Sequence, residues 1–355
     1  MSVLTKRIYD GLIGQYPTNW YAASGSFAAK TVAVAADRYT LLSPVAIQSD
    51  VGGVSLSQAS LQTLDLSVAG NWDAISPTDY TVAANRAGKD FYVYLCQPTI
   101  GSTPKLVLSA NATYPSGYTA LTSRKVGGFP CVYVSYGTIS GHPLSGYVAG
   151  DIIPNGVWDL KFRCETQANE GLAFDEEIGM WGYIYMASNA GSSVPASVAG
   201  ATIWDTITWL DAVDAGRAVK MRLPFDFEYQ SMAALSNEGT NISGSADPGT
   251  TGGHSDATRR MVSKFGFEDM CGCEWHWLAD QSFQYDSSSW GYKNTLGGTK
   301  GQIYSEGSYG EVKLIAGGAW DYGATCGSRG RAADNSRGNT TSYIGFRLVA
   351  RSITK

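Results

Sequence analysis

The sequence predicts an α+β fold with a β-rich N-terminal part, a β-sandwich-like unit followed by a loop-rich unit that carries two helices. Three observations predict it. Between Tyr39 and about Gly156, β-branched and aromatic runs alternate with clusters of turn residues. Beyond that stretch, two segments place apolar residues at helical spacing. Throughout, 42 glycines, 21 tyrosines and 10 tryptophans accompany only 16% charged residues, a turn-rich and aromatic-rich composition that excludes disorder.

At 355 residues the chain is longer than one hydrophobic core usually serves, so more than one domain is expected. Residues 1–40 read as an N-terminal attachment or oligomerisation segment, because Tyr16-Pro-Thr-Asn-Trp-Tyr21 and the small residues behind it lack regular periodicity. Residues 41–156 read as the β-sandwich-like domain. Strands are predicted at Phe91–Cys96, Lys105–Leu108 and Cys131–Tyr136, with turns at Pro98, Gly101, Pro115–Gly117 and Gly127–Gly128. A boundary is placed at Pro154–Gly156, and residues 157–355 form the second domain, opening on the alternating run Val157–Arg163. Ile203, Ile207, Leu210 and Val213 recur at three and four and predict a helix over 202–215, stopped by Gly216. A second helix is predicted over 225–235 behind Pro224; Asp226 and Glu228 lie in its first turn, where negative charge favours the exposed amides. Residues 236–256 read as loop.

The net charge of −5 comes without a basic stripe, which argues against nucleic acid or an anionic membrane as the main partner. No stretch is long and apolar enough for membrane insertion. Met1-Ser-Val-Leu-Thr-Lys-Arg7 has no apolar segment behind its basic residues, so synthesis in the cytoplasm without a signal peptide is expected. Six cysteines, at 96, 131, 164, 271, 273 and 326, include no CxxC pair and read as buried reduced thiols. Cys271-Gly-Cys273 is too tight for a zinc knuckle, and His142, His254 and His276 lie too far apart in sequence to read as a triad or a metal set. Asp175-Glu-Glu177 lacks the partner carboxylate that glycoside hydrolysis needs and reads as a solvated turn or at most a cation site. No catalytic residue, metal ligand or cofactor is predicted.

Five motifs in the second half occur in a characteristic order. They are Arg222-Leu-Pro-Phe-Asp-Phe-Glu-Tyr229, Cys273-Glu-Trp-His-Trp277, Gly317-Gly-Ala-Trp320, Gly327-Ser-Arg329 and Ile344-Gly-Phe-Arg-Leu-Val349. Together they resemble the C-type lectin branch that contains formylglycine-generating enzyme and the variable proteins of diversity-generating retroelements. Gly117–Phe129 and Trp158–Arg163 are similar to segments of the phage tropism determinants, which extends the resemblance over roughly 90–355. It implies a C-type-lectin-like domain over 157–355 whose C-terminal surface binds ligand. It also implies a homotrimer at the tip of a virion tail fibre, alongside other tail-fibre proteins, with a host cell-surface protein or glycan as partner. The family places Thr or Asn after Arg-Leu-Pro as a helix cap; here that residue is Phe225, and Asp226 is expected to cap one residue later.

From Trp320 to Ile344, apolar and Gly/Arg landmarks alternate with small, polar and aromatic residues. From Ala316 onward, five Arg and one Lys stand against two Asp, a basic patch on an acidic chain. Position relative to the landmarks carries over Asp321, Tyr322, Ala324, Thr325, Ala333, Asp334, Asn335, Thr341 and Tyr343 as variable, outward-facing receptor-binding residues. Tyr supplies contact area at low entropy cost, and Ser or Asn supplies hydrogen bonds. Trp320, Arg329 and Arg347 are expected to be scaffold, the arginines as half-buried forks bridging backbone carbonyls. Trp181, Trp275 and Trp277 read as core anchors. Other readings are a bacterial variable protein outside a virion, a purely structural fibre protein, and an oxidase of the formylglycine-generating type. The oxidase needs two cysteines in the last tract, where only Cys326 is found, beside Arg329 and Arg331.

Overall fold

The computed structural model describes residues 21–30, 35–98, 103–166, 169–189, 193–256, 258–284, 291–293, 303–305 and 310–354. Most of the proposed attachment segment, 1–20 and 31–34, lies outside the described residues. Its described part forms strands Tyr21–Ala23 and Ala28–Ala29, which pair antiparallel with Ile47–Val51 and Thr40–Leu42.

The architecture is β-rich, with several small sheets and few helices. In the first half, a four-stranded antiparallel sheet runs in the order Trp158–Asp159, Ser123–Pro130, Asp90–Cys96, Lys105–Ser109. Strand Asp90–Cys96 explains why the sequence there is continuously apolar. Phe91, Val93 and Leu95 enter one core with Leu41, Ile47 and Phe129. The alternate residues Tyr92, Tyr94 and Cys96 enter a second core with Trp181 and Trp277. A strand buried on both faces cannot alternate with polar residues.

Two features of this sheet differ from the sequence reading. Gly127 and Gly128 are strand residues, not a turn. A Cβ on Gly128 would stand 2.6 Å from the Phe91 carbonyl oxygen and 2.7 Å from the Trp158 ring, so glycine is needed for close approach. The predicted strand at Cys131–Tyr136 is absent; the chain leaves the sheet at Pro130, and only the bridge Cys131↔Ile152 remains. Proline has no N–H to continue a ladder.

The 3₁₀ turn Pro154–Gly156 stands at the expected boundary, yet packing is continuous around it: Ile152 belongs to one core and Ile153 to another. Beyond it, strand Val349–Thr354 lies between Phe162–Cys164 and Met180–Tyr183, with Leu172–Asp175 outermost. A last sheet has the order Gly327–Asn335, Gly310–Gly317, Trp275–Gln284, Ile344–Gly345, its final pair parallel. Trp181 and Trp277 are fully buried, and their indole N–H groups donate to Ser352 Oγ and the Ile207 carbonyl at 3.2 and 3.0 Å. Among the described residues, no helix is long and apolar enough to cross a membrane.

Both helices are displaced from the predicted spans. The first is Trp209–Ala218, capped by Thr208, whose Oγ1 accepts the Asp211 N–H at 3.0 Å. Ile203 and Ile207 are buried but precede it in extended chain, Thr206 between them has φ +50°, and Leu210 is exposed. Gly216 lies inside the last turn, against Leu348, not beyond the helix. The second helix, Asp226–Met232, starts after Phe225. Asp226 does not cap it. Glu228 reaches back to accept the Phe225 N–H at 2.8 Å, and the Asp226 N–H goes to Asp280.

Replacing Gly128 with alanine drives a methyl into the Phe91 backbone and the Trp158 ring. It is expected to lower the unfolding free energy by about 2–3 kcal/mol, measured by thermal or denaturant unfolding.

Candidate functional site

The landmarks of the C-terminal tract are places where backbone meets packed neighbours. Gly317 and Gly318 have φ +98° and +88°, a region that favours glycine, and a Cβ on either would stand within 2.6 Å of the Met270 carbonyl or the Cys326 sulfur. A Cβ on Gly345 would meet Met186 and, at 2.9 Å, a Glu274 carboxylate oxygen. Ser328 is held by Glu238, which accepts both its N–H and its hydroxyl. Arg347 is fully buried and donates to the carbonyl oxygens of Tyr183, Ile184 and Glu268.

The expected bridging role of Arg329 falls elsewhere. Arg329 is exposed, being an outward residue of the strand Gly327–Asn335. Arg331, half-buried on the same strand, pairs with Asp226 and donates to the Ser328 and Gly330 carbonyls.

Between the landmarks, Asp321, Tyr322, Ala324 and Thr325 are exposed on a loop that contains the 3₁₀ turn Gly323–Thr325. The Thr325 N–H and hydroxyl both donate to the Tyr322 carbonyl, at 3.2 and 2.9 Å. Tyr343 is exposed and Thr341 half-buried. The structure brings these two segments together through tryptophans. Tyr322 stands edge-on to Trp275 at 5.3 Å between centroids, and Tyr343 lies 6.0 Å from Trp320, which is half-buried. The Trp275 N–H donates to the Tyr343 carbonyl at 2.8 Å. Ala333, Asp334 and Asn335 are not part of this grouping. They end the strand Gly327–Asn335, where Asn335 stands opposite Lys313, roughly 13 Å further along the sheet than the Gly317↔Gly327 pair.

Beside Gly345, Glu274 is fully buried, and neither of its carboxylate oxygens has a hydrogen-bond partner among the described residues. Burial, then the charges of Asp205, Asp247 and Asp269, push its pKa up to about 9. Cys326 donates toward the Ala319 carbonyl; burial and Asp321 push its thiol up to about 11, so the neighbouring arginines do not activate it. His276 is a packed histidine: its Nε2 meets the Asp269 carbonyl at 3.1 Å, and burial and Arg347 hold its pKa down at about 3. Asp175 is buried, its Oδ1 accepting the Glu177 N–H, while Glu176 and Glu177 face solvent.

Two features escaped the sequence reading. Phe225, just before the helix Asp226–Met232, and Phe227, in its first turn, are exposed and stacked, 6.3 Å apart with ring planes at 8°. The signal was a phenylalanine in the place of a polar cap. His254 meets Asp269 and Cys273, which lie 15 and 19 residues further along the chain.

Residues 50–159 match the Mtd second domain family. A tail fiber receptor-binding protein of Bordetella phage BPP-1 is 27% identical over 276 residues, 71% of this chain and 68% of that protein. Among solved structures, the Major Tropism Determinant I1 and M1 variants superpose with TM-scores of 0.74 and 0.73 at 22% identity, each covering 95% of this chain and 87% of theirs.

Two outcomes follow from this geometry. Replacing Arg347 with methionine strands the buried carbonyls of Tyr183 and Glu268, each costing about 1–3 kcal/mol, while Ile184 keeps the Glu268 N–H, and should lower stability by at least ~2 kcal/mol in denaturant unfolding. Because folding raises the Glu274 pKa, its favourable contribution is complete below the unfolded value of 4.5 and is lost as pH rises through about 9. Glu274→Gln should therefore leave stability unchanged near about pH 4 and raise it by roughly 2–4 kcal/mol near about pH 8, read from unfolding curves at both.

Proposed function

We propose that this tropism-determinant-like chain is the receptor-binding protein at the tip of a phage tail fibre, and that its surface around Tyr322 and Tyr343 recognises a host cell-surface protein or glycan. The observation that carries the reading is the bracing of two exposed tyrosines by Trp275 and Trp320, between glycines at which an added side chain would clash. Exposed aromatics held in one orientation lose little entropy on binding, which is what a recognition surface requires. The likeness to a tail fiber receptor-binding protein supports the same reading.

Residues 41–156 are a β-sandwich-like stalk and 157–355 a C-type-lectin-fold head, with 1–40 as the attachment segment. Asp321, Tyr322, Ala324, Thr325, Thr341 and Tyr343 form the centre of the variable surface, and Ala333, Asp334 and Asn335 form a separate outer patch. The chain acts as a homotrimer, so three individually weak sites raise avidity by orders of magnitude. It performs no covalent chemistry: the one thiol in the tract, Cys326, is buried and its pKa raised.

The test is binding of the purified chain to intact host cells. Tyr322→Ala with Tyr343→Ala should weaken binding at least thirtyfold, about 2 kcal/mol, while the chain stays folded and loses about 0.5–1.5 kcal/mol of stability per ring contact removed. Unchanged binding by the double variant would remove the proposal.

A further inference from the structure

Outside the binding tract, three metal-ligating side chains converge under the loop that follows Thr251. His254 Nδ1 lies 2.8 Å from Asp269 Oδ2 and 4.0 Å from Cys273 Sγ, and the three donor atoms all lie within 4.8 Å of one another. Among the described residues, this is the one group of three His, Cys or carboxylate donors so close together. We propose that His254, Asp269 and Cys273 bind a zinc ion. This inference stands independently of the receptor-binding reading.

The donor set selects the metal class. One imidazole, one carboxylate and one thiolate suit a borderline-soft cation, whereas calcium and magnesium take oxygen ligands. Zinc–ligand bonds of about 2.0–2.3 Å at tetrahedral angles put donors about 3.3–3.8 Å apart. The observed 2.8 and 4.0 Å bracket that range and the third pair lies within 4.8 Å, so side-chain shifts on the order of 1 Å seat the ion.

A second observation points to a missing partner. Asp269 is fully buried, and its Oδ1 has no hydrogen-bond partner among the described residues. A bare carboxylate oxygen at such a site is costly, and the nearby Arg347 cation spends its terminal donors on carbonyl oxygens instead of on it. Its other oxygen already takes the Gly252 N–H at 2.8 Å as well as His254. The donors are also held before any ion arrives. Asp269 donates its N–H to the Met261 carbonyl, and Cys273 bridges to Ala319 just beyond the ends of the two inner strands of the last sheet. Cys273 is completely buried, while the His254 side chain is 18% exposed, which leaves an entry path and a fourth position for water.

Charge balances as well. On binding, Cys273 loses its thiol proton to solvent, and His254 carries its one remaining proton on Nε2, so that a neutral imidazole meets the metal through Nδ1. Zn²⁺ with one thiolate and one carboxylate is then a neutral ligand set, beside which Arg347 remains a buried cation. The ion would tie Gly252–His254 to the strand ends that support Ala319 and Trp320.

The experiment uses the full chain, stripped with chelator and reloaded with one equivalent of Zn²⁺ or Co²⁺, then dialysed. We expect about one zinc per chain by mass spectrometry, and a thiolate-to-cobalt charge-transfer band in the cobalt form. Cys273→Ser should abolish the band, and His254→Gln should weaken metal affinity more than tenfold. Cys271→Ser, whose sulfur lies instead toward Tyr229 and Ser236, should change neither. Circular dichroism confirms that each variant is folded; if Cys273→Ser is not, loss of the band in Cys273→Ala takes its place. Failure of the folded wild-type chain to retain metal, or a band that follows Cys271, would overturn the proposal.

Discussion

One buried guanidinium organises the loop-rich half of the chain. Arg347 has no exposed surface, and its donors engage carbonyl oxygens from Tyr183, Ile184 and Glu268, which arrive from two distant stretches of sequence. Short strands and long loops leave many carbonyls without a ladder partner, and a planar fork of donors satisfies several at once. Burial lowers the Arg347 pKa to about 10, with Asp269 the first of the charges opposing that shift, so it remains a cation at neutral pH. Its position also fixes the end of the tract: Gly345 and Phe346 precede it in the core, and Val349 follows into the central position of a sheet.

That anchoring separates two kinds of position within a few residues of each other. Gly317, Gly318 and Gly345 sit where a single added carbon meets backbone, sulfur or a buried carboxylate. Asp321, Tyr322, Ala324 and Thr325 lie on a loop closed by its own backbone hydrogen bonds, with side chains toward solvent. Substitutions at such exposed positions typically change stability by less than about 0.5 kcal/mol. A surface built this way can change its chemistry while its shape persists, which is the physical requirement for the diversified recognition proposed here.

The sequence revealed the parts governed by local rules and by motif order. The continuous apolar run at Phe91–Cys96 was readable as a strand, though not that its two faces serve different cores. The cores at Trp181 and Trp277 followed from aromatic content in strand-like context. Helix positions were misread because Ile203 and Ile207 keep helical spacing by coincidence, their burial coming from bridges to Ser188 and from the Trp277 indole. Gly127 and Gly128 were misread because a glycine pair signals a turn locally, whereas its cause here is Trp158, thirty residues away. The exchange of roles between Arg329 and Arg331 depends on strand register, and the meeting of His254 with Cys273 on tertiary folding; neither leaves a sequence signal.

The central claim is that recognition occurs on the tryptophan-braced loops. Hydrogen–deuterium exchange of the intact chain, with and without host outer-surface vesicles, tests it most directly. The account predicts slowed exchange over 320–326 and 340–344 with the strand Asp90–Cys96 unchanged. Protection confined to the first half of the chain, with 320–344 unaffected, would contradict it.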